Sequence, residues 1–144
     1  MPYLRQILSE KGKNVFTAPP SMSVFEAIGS MAERNVGALL IIENDELVGI
    51  FSERDYLRKI ALKFRSSRKT QLSEVMSSPV LCANLDDEVN HCMGLMTKHH
   101  YRHLPVLEDG ELCGIVSIGD LVGFLLREKE VELDQLNQYI AGGY

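Results

Sequence analysis

Two short runs carry the residue types from which a binding chemistry can be built: Gly49-Ile50-Phe51-Ser52-Glu53-Arg54-Asp55 and Gly114-Ile115-Val116-Ser117-Ile118-Gly119-Asp120. Each lies where an apolar, strand-like stretch gives way to a helical one. A helix start presents unpaired N–H groups and the positive end of its dipole, which suit a phosphate, and the serine hydroxyl adds a donor. The aspartate three residues on can accept from the paired hydroxyls of a sugar. A nucleotide carries both features. The same spacing also fits a capping box, with Ser-x-x-Asp in place of Ser-x-x-Glu, in which hydroxyl and carboxylate satisfy backbone donors. On spacing alone the capping box is the simpler reading.

Other reactive side chains are less organised. His99, His100 and His103 invite a metal reading, but no Cys, Asp or Glu stands at matching spacing, so a surface or phosphate-facing role is expected and no metal. Cys82, Cys92 and Cys113 are an odd count without Cys-x-x-Cys spacing, which points to reduced thiols rather than a disulfide framework or a zinc site. There is no Gly-x-Ser-x-Gly elbow, His-Glu-x-x-His or phosphate-binding Walker loop, so an enzyme is not expected. Seven of the fifteen Lys and Arg residues fall between Arg54 and Lys69, a local excess that either attracts an anion or forms a solvated face.

The elements that must position these groups occur twice. Sliding the sequence along itself by 65 residues superimposes Glu46–Asp55 on Glu111–Asp120 with six of ten positions identical. The same offset pairs Val15 with Val80, Ala18 with Ala83, Val24 with Val89, Gly29 with Gly94, Met31 with Met96 and Leu39 with Leu104. In each copy a β-like segment (Val15 to Ala18, Val80 to Ala83) precedes an amphipathic helix, with Met31 and Met96 on its apolar face. Ser23 and Glu26 form a capping box at the first helix start, and Asp86 and Asp87 are expected to cap the second. Hairpins follow, turning at Asn44-Asp45 and Asp109-Gly110. A second helix begins after Ser52 and after Ser117, and Arg65 to Thr70 joins the copies. The C-terminal stretch is helix-compatible, with Leu133, Leu136 and Ile140 on one stripe, and ends at Gly142-Gly143.

The doubled Gly-h-h-Ser-x-x-Asp signature, where h is apolar, resembles that of the paired cystathionine-β-synthase-type domain, the CBS domain pair or Bateman module. The likeness covers both copies, about residues 5 to 130. It implies an α/β (α+β) fold of tandem β-α-β-β-α repeats, with small sheets covered by helices and pseudo-two-fold symmetry between repeats 5–65 and 66–130, followed by a helical tail over 131–144. It also implies two clefts for adenosyl ligands such as AMP, ATP, S-adenosylmethionine or NAD(H), the Asp holding ribose and the Ser lying near ribose or phosphate. Tyr101-Arg102-His103-Leu104-Pro105-Val106 matches the family's strand entry, where basic residues meet phosphate, and Val36-Gly37-Ala38 stands there in the first copy. The main cleft is therefore expected to combine Asp120, Ser117, Arg102 and His103 with Phe16, Thr17, Val36, Gly37 and Ala38. The second, less complete, would use Ser52, Arg54 and Asp55 with Leu81, Cys82, Tyr101 and Arg102, helped by Arg34.

Bulk properties agree with a small folded domain: 144 residues, 45% hydrophobic and 24% charged. A net charge of −5 argues against general nucleic-acid binding. No apolar run reaches the roughly 18 residues that span a bilayer, and the start lacks a secretion signal, so no membrane partner and a cytoplasmic location are expected. The expected function is that of a regulatory module in which an adenine nucleotide sits between the repeats, acting as an energy or redox sensor on an effector protein in trans, and assembling as a homodimer. The alternative is a dimerisation or protein-interaction module with no tight ligand.

Overall fold

The computed structural model describes residues 2–141. In chain order the elements are α1 (Leu4–Lys11), β1 (Thr17–Ala18), α2 (Val24–Arg34), β2 (Ala38–Glu43), β3 (Glu46–Ser52), α3 (Glu53–Asp55, continued by a π-helical stretch Tyr56–Ala61), α4 (Leu72–Val75), β4 (Ala83–Asn84), α5 (Val89–His99), β5 (His103–Glu108), β6 (Glu111–Ser117) and α6 (Ile118–Ala141). The unbroken apolar runs become the hairpins β2–β3 and β5–β6. Asn44 and Asp45 both adopt positive φ, as do Asp109 and Gly110, the geometry of a two-residue hairpin turn whose twist matches the strands. Each hairpin takes a third, parallel strand, giving sheets ordered β1-β2-β3 and β4-β5-β6.

The 65-residue offset holds at the level of register. Leu40 pairs with Ile50 and Pro105 with Ile115, and each hairpin is irregular at the corresponding place, between Ile41 and Ile42 and between Val106 and Leu107. Both long first helices end on a left-handed residue, Asn35 and His100.

The two cores are completed by exchange. Leu4, Ile7 and Leu8 of α1 lie in the core of the second sheet, with Val89, Cys92, Met96, Leu104, Val106 and Val116. Leu72 and Val75 of α4 lie in the core of the first, with Val24, Met31, Leu39, Ile41 and Phe51. Backbone bonds fasten both exchanges: Leu4 N–H to Asp87 O (3.0 Å) and Arg5 N–H to Leu85 O (2.9 Å) on one side, Val24 N–H to Thr70 O (2.8 Å) and Leu72 N–H to Met22 O (2.9 Å) on the other. A buried aliphatic side chain contributes about 1.5–3 kcal/mol, so each leading helix supplies a substantial share of its partner's stability. Duplicated units too small to bury a full core alone thus complete each other's.

Several local expectations are corrected. The α2 cap is as read, Ser23 Oγ accepting from Glu26 N–H at 3.1 Å. At α5, however, the N-cap is Glu88 without a side-chain bond, and Asp87 Oδ2 instead accepts from Asn84 N–H (2.9 Å), tightening the preceding turn. The tail is not a separate helix: α6 runs unbroken for 24 residues, because nothing between Ile118 and Ala141 breaks it. Leu121 and Phe124 are its buried residues, whereas Leu126, Leu133, Leu136 and Ile140 are exposed. Gly142-Gly143, read as the end of the helix, lies outside the described residues.

Candidate functional site

Two cavities open between the repeats. The smaller, about 330 Å³, is walled by Lys11, Asn14, Phe16, Val36, Gly37 and Ala38 from the first half and by His103, Ile115, Ser117 and Asp120 from the second. The larger, about 1050 Å³, has Ser52, Glu53, Arg54, Asp55, Arg58, Lys59 and Ser77 facing Tyr101, Arg102, His103 and the α5 end at His99 and His100. Gly37 and His103 line both, so the cavities meet there.

Both Ser-x-x-Asp motifs form the capping geometry. Ser117 N–H donates to Asp120 Oδ2 (2.8 Å) while Asp120 N–H donates to Ser117 Oγ (3.1 Å). Ser52 and Asp55 do the same at 3.0 and 3.3 Å. The first amide of each helix is also taken, Glu53 N–H by Gly37 O (3.1 Å) and Ile118 N–H by Arg102 O (2.9 Å). The helix starts therefore have few amides left for an anion, as the capping-box reading of the Ser-x-x-Asp spacing expects.

The two carboxylates differ in what remains. Asp55, 9% exposed, uses both oxygens: Oδ2 accepts from Ser52, and Oδ1 from Ser77 Oγ (3.1 Å) and Lys59 Nζ (3.2 Å). Asp120 Oδ2 accepts from Ser117 and from Lys11 Nζ at 2.6 Å, while Oδ1 has no partner among the described residues. Burial would raise the Asp120 pKa, but the bonds from Lys11 and Ser117 outweigh it and hold the carboxyl below its usual range. It is an anion at neutral pH.

His103 goes the other way. Burial first, then the positive charge of Lys11, lowers its pKa below 6.5 against the opposing pull of Asp120 and Glu53, so the imidazole is neutral at pH 7. It offers the small cavity a hydrogen-bonding ring rather than a cation. Phe16 has the Arg34 guanidinium over its ring at 4.5 Å, which draws Arg34 away from any phosphate and stiffens an apolar wall. The positive charge gathers in the larger cavity, in Arg54, Arg58, Lys59 and Arg102, with Arg54 Nη1 donating to His100 O at 3.0 Å. The remainder of the basic run is dispersed: Arg65 pairs with Glu74 (2.7 Å) and Arg68 stacks on Phe25. Among the described residues no group of three His, Cys, Asp or Glu could hold a metal ion.

The chain matches the family described as CBS domain twice, over residues 5–62 and 72–127. The protein CBSX3 of Arabidopsis thaliana, described as mitochondrial, is 37% identical over 150 residues, which cover 98% of this chain and 73% of that protein. This chain belongs to the CBS domain family. A putative signal-transduction protein with CBS domains from Burkholderia ambifaria has the same fold at a TM-score of 0.84 and 41% identity, over 87% of this chain and 94% of that one. A crystal structure of another CBS domain reaches 0.84 and 42%, over 88% of this chain and 99% of that one. CBS-domain proteins are regulatory modules.

Within this CBS pair, the fold brings Phe16, Val36, Gly37, Ala38, His103, Ser117 and Asp120 to one cavity. Thr17 is exposed and is not among its walls, since it begins β1 with the alternate side chain, Ala18, buried. Arg102 opens onto the larger cavity, beside Ser52, Arg54, Asp55 and Tyr101. Leu81 and Cys82 are absent from that cavity: Leu81 packs against the second core, and Cys82 is half-buried on the approach to β4. Sequence reasoning missed Lys11, Lys59 and Ser77. Lys59 was detectable as the i+4 partner of Asp55. Lys11 and Ser77 were not, because they come from the exchanged segments.

Proposed function

We propose that this CBS pair is a regulatory module that binds an adenine nucleotide, with the nucleoside in the smaller cavity and the phosphates towards the larger. Asp120 carries this reading. It is an anionic carboxylate in a cavity wall with an uncommitted oxygen, which suits the paired hydroxyls of a ribose. Phe16, Val36 and Ala38 offer an adenine an apolar seat, and about 330 Å³ lies within the range of small-ligand pockets. Among the described residues the small cavity has one cation, Lys11, and it is already paired, so phosphates gain more beside Arg54, Arg58 and Arg102, beyond Gly37 and His103. The ligand class is AMP, ATP or NAD(H). Binding across the two repeats would shift their packing and signal energy or redox state to an effector protein in trans, in the cytoplasm. The test is mass spectrometry of small molecules released when freshly purified protein is denatured. An adenine nucleotide is expected; its absence, together with no uptake of added AMP, ATP or NADH, would refute the reading.

One observation favours a second activity, self-association. Leu126, Leu133 and Ile140 recur every seven residues on α6 and are exposed, with Val122 and Leu136 beside them. Such a face suits a second helix. A homodimer through α6 predicts that Leu133→Ser with Leu136→Ser halves the mass measured by light scattering, while an unchanged mass would reject it.

A further inference from the structure

Lys11 is the last residue of α1, and its ammonium bridges Asp120 Oδ2 (2.6 Å) and the carbonyl oxygen of Ile115 (2.8 Å) inside the smaller cavity. We infer that Lys11 is a gate on the nucleoside site, holding the ribose-binding carboxylate by its ion pair and giving way to a ligand that brings a pair of hydroxyl donors. The inference rests on the nucleotide-binding reading of the same cavity.

The first repeat provides the contrast. There Asp55 is tied by Lys59 four residues along the same helical run, Lys59 is fixed in turn by Val75 O (2.8 Å), and Ser77 takes the same carboxylate oxygen. That side chain is 12% exposed and has no free acceptor facing a ligand. The Asp120 side chain is 27% exposed, keeps Oδ1 open, and is held by one flexible lysine from a different element. By the 65-residue offset Lys11 corresponds to Met76 and Lys59 to Phe124, so neither lysine has a counterpart in the other repeat. One motif is closed by its own helix; the other is closed by a side chain that can leave.

Displacement has a local consequence. Lys11 stands where α1 ends, followed by Gly12 at φ 94°, while Leu4, Ile7 and Leu8 remain in the second core. A ligand that evicts the ammonium would loosen the last turn of α1 without unseating the helix. A pair of hydroxyls needs Oδ2 as well as the open Oδ1, so it displaces the ammonium and replaces its bond, whereas a 2′-deoxyribosyl group offers one hydroxyl and fills only Oδ1.

The experiment is calorimetric titration with adenosine, which carries no phosphate and so is not affected by the loss of one positive charge. Wild type, Lys11→Met, Lys11→Gln and Lys13→Met are compared, Lys13 being outside the cavity walls. Both Lys11 variants should bind adenosine roughly two- to fivefold more tightly, the ratio matching one partly exposed ion pair no longer broken on binding. Lys13→Met should bind as wild type does. Adenosine binding by the Lys11 variants that is no tighter than wild type, including none by either, overturns the gate. AMP binding to wild type and its loss in Asp120→Asn test the underlying reading separately, so the two failures are told apart.

Discussion

Leu8, on the helix that leads the first repeat, lies on the backbone of Gly114 in the second: a Cβ at Gly114 would stand 2.9 Å from Leu8 Cδ1. The corresponding seat is Gly49 under Met76, with a Cβ 2.9 Å from Met76 Cγ. The glycine of each Gly-h-h-Ser-x-x-Asp signature is therefore the place where the other repeat's leading segment docks, while the Ser and Asp cap the helix that follows. Leu8 is buried and cannot swing aside. Gly114→Ala should lower stability to urea by about 1–3 kcal/mol through overpacking, and an unchanged midpoint would show that the docked helix is not tightly seated.

The two signature aspartates should separate in the same assay. Asp55→Ala leaves Lys59, Ser77 and the Ser52 amide without their acceptor in a mostly buried place, so a loss of about 1–3 kcal/mol is expected. Asp120→Ala removes a partly exposed carboxylate and should cost less, under about 1 kcal/mol. Equal losses would contradict the assignment of Asp55 to structure and Asp120 to binding.

His103 gives the protein a pH dependence of definite sign. Its folded pKa lies below the ordinary 6.5, chiefly through burial, so the unfolded chain binds more protons as pH falls past that value. The stability contributed by the neutral ring is complete above the unfolded pKa and is lost as pH drops through and below about 6.5. Melting temperatures measured between pH 7.5 and 5 should fall, and should fall less in His103→Asn. The same slope in both proteins would place the titration elsewhere.

Cys92 is fully buried, and burial, with the nearby charge of Asp87, pushes its thiol up to about 11. Burial raises the Cys82 and Cys113 thiols as well, but both are only half-buried, so a maleimide at pH 8 should label them in the native protein and reach Cys92 only on unfolding. Native labelling of all three would show that the second core opens readily.

Much of this was legible in the sequence because the signals were local. Asn44-Asp45 and Asp109-Gly110 could only be tight turns, Ser23 announced a helix start, and the 65-residue offset tied the hairpins together down to their irregular positions. What escaped was long-range. Nothing in Leu4–Lys11 says that it packs beside Val89 and Leu104 rather than on its own repeat, so Lys11 could not be seen approaching Asp120. Thr17, Leu81 and Cys82 were set against the clefts by family position, and strand alternation and core packing turned them elsewhere. The near identity of the two Ser-x-x-Asp motifs also hid their difference, since Lys59 and Ser77 close one and leave no equivalent at the other.

The central claim is that Asp120, and not Asp55, holds the sugar of an adenine nucleotide. Titration of AMP into wild type, Asp120→Ala and Asp55→Asn, each first confirmed as folded by circular dichroism, tests it most directly. Saturable binding with one site per chain in wild type, lost in Asp120→Ala and retained in Asp55→Asn, is the predicted result. Binding that survives Asp120→Ala, or disappears with Asp55→Asn alone, would contradict it.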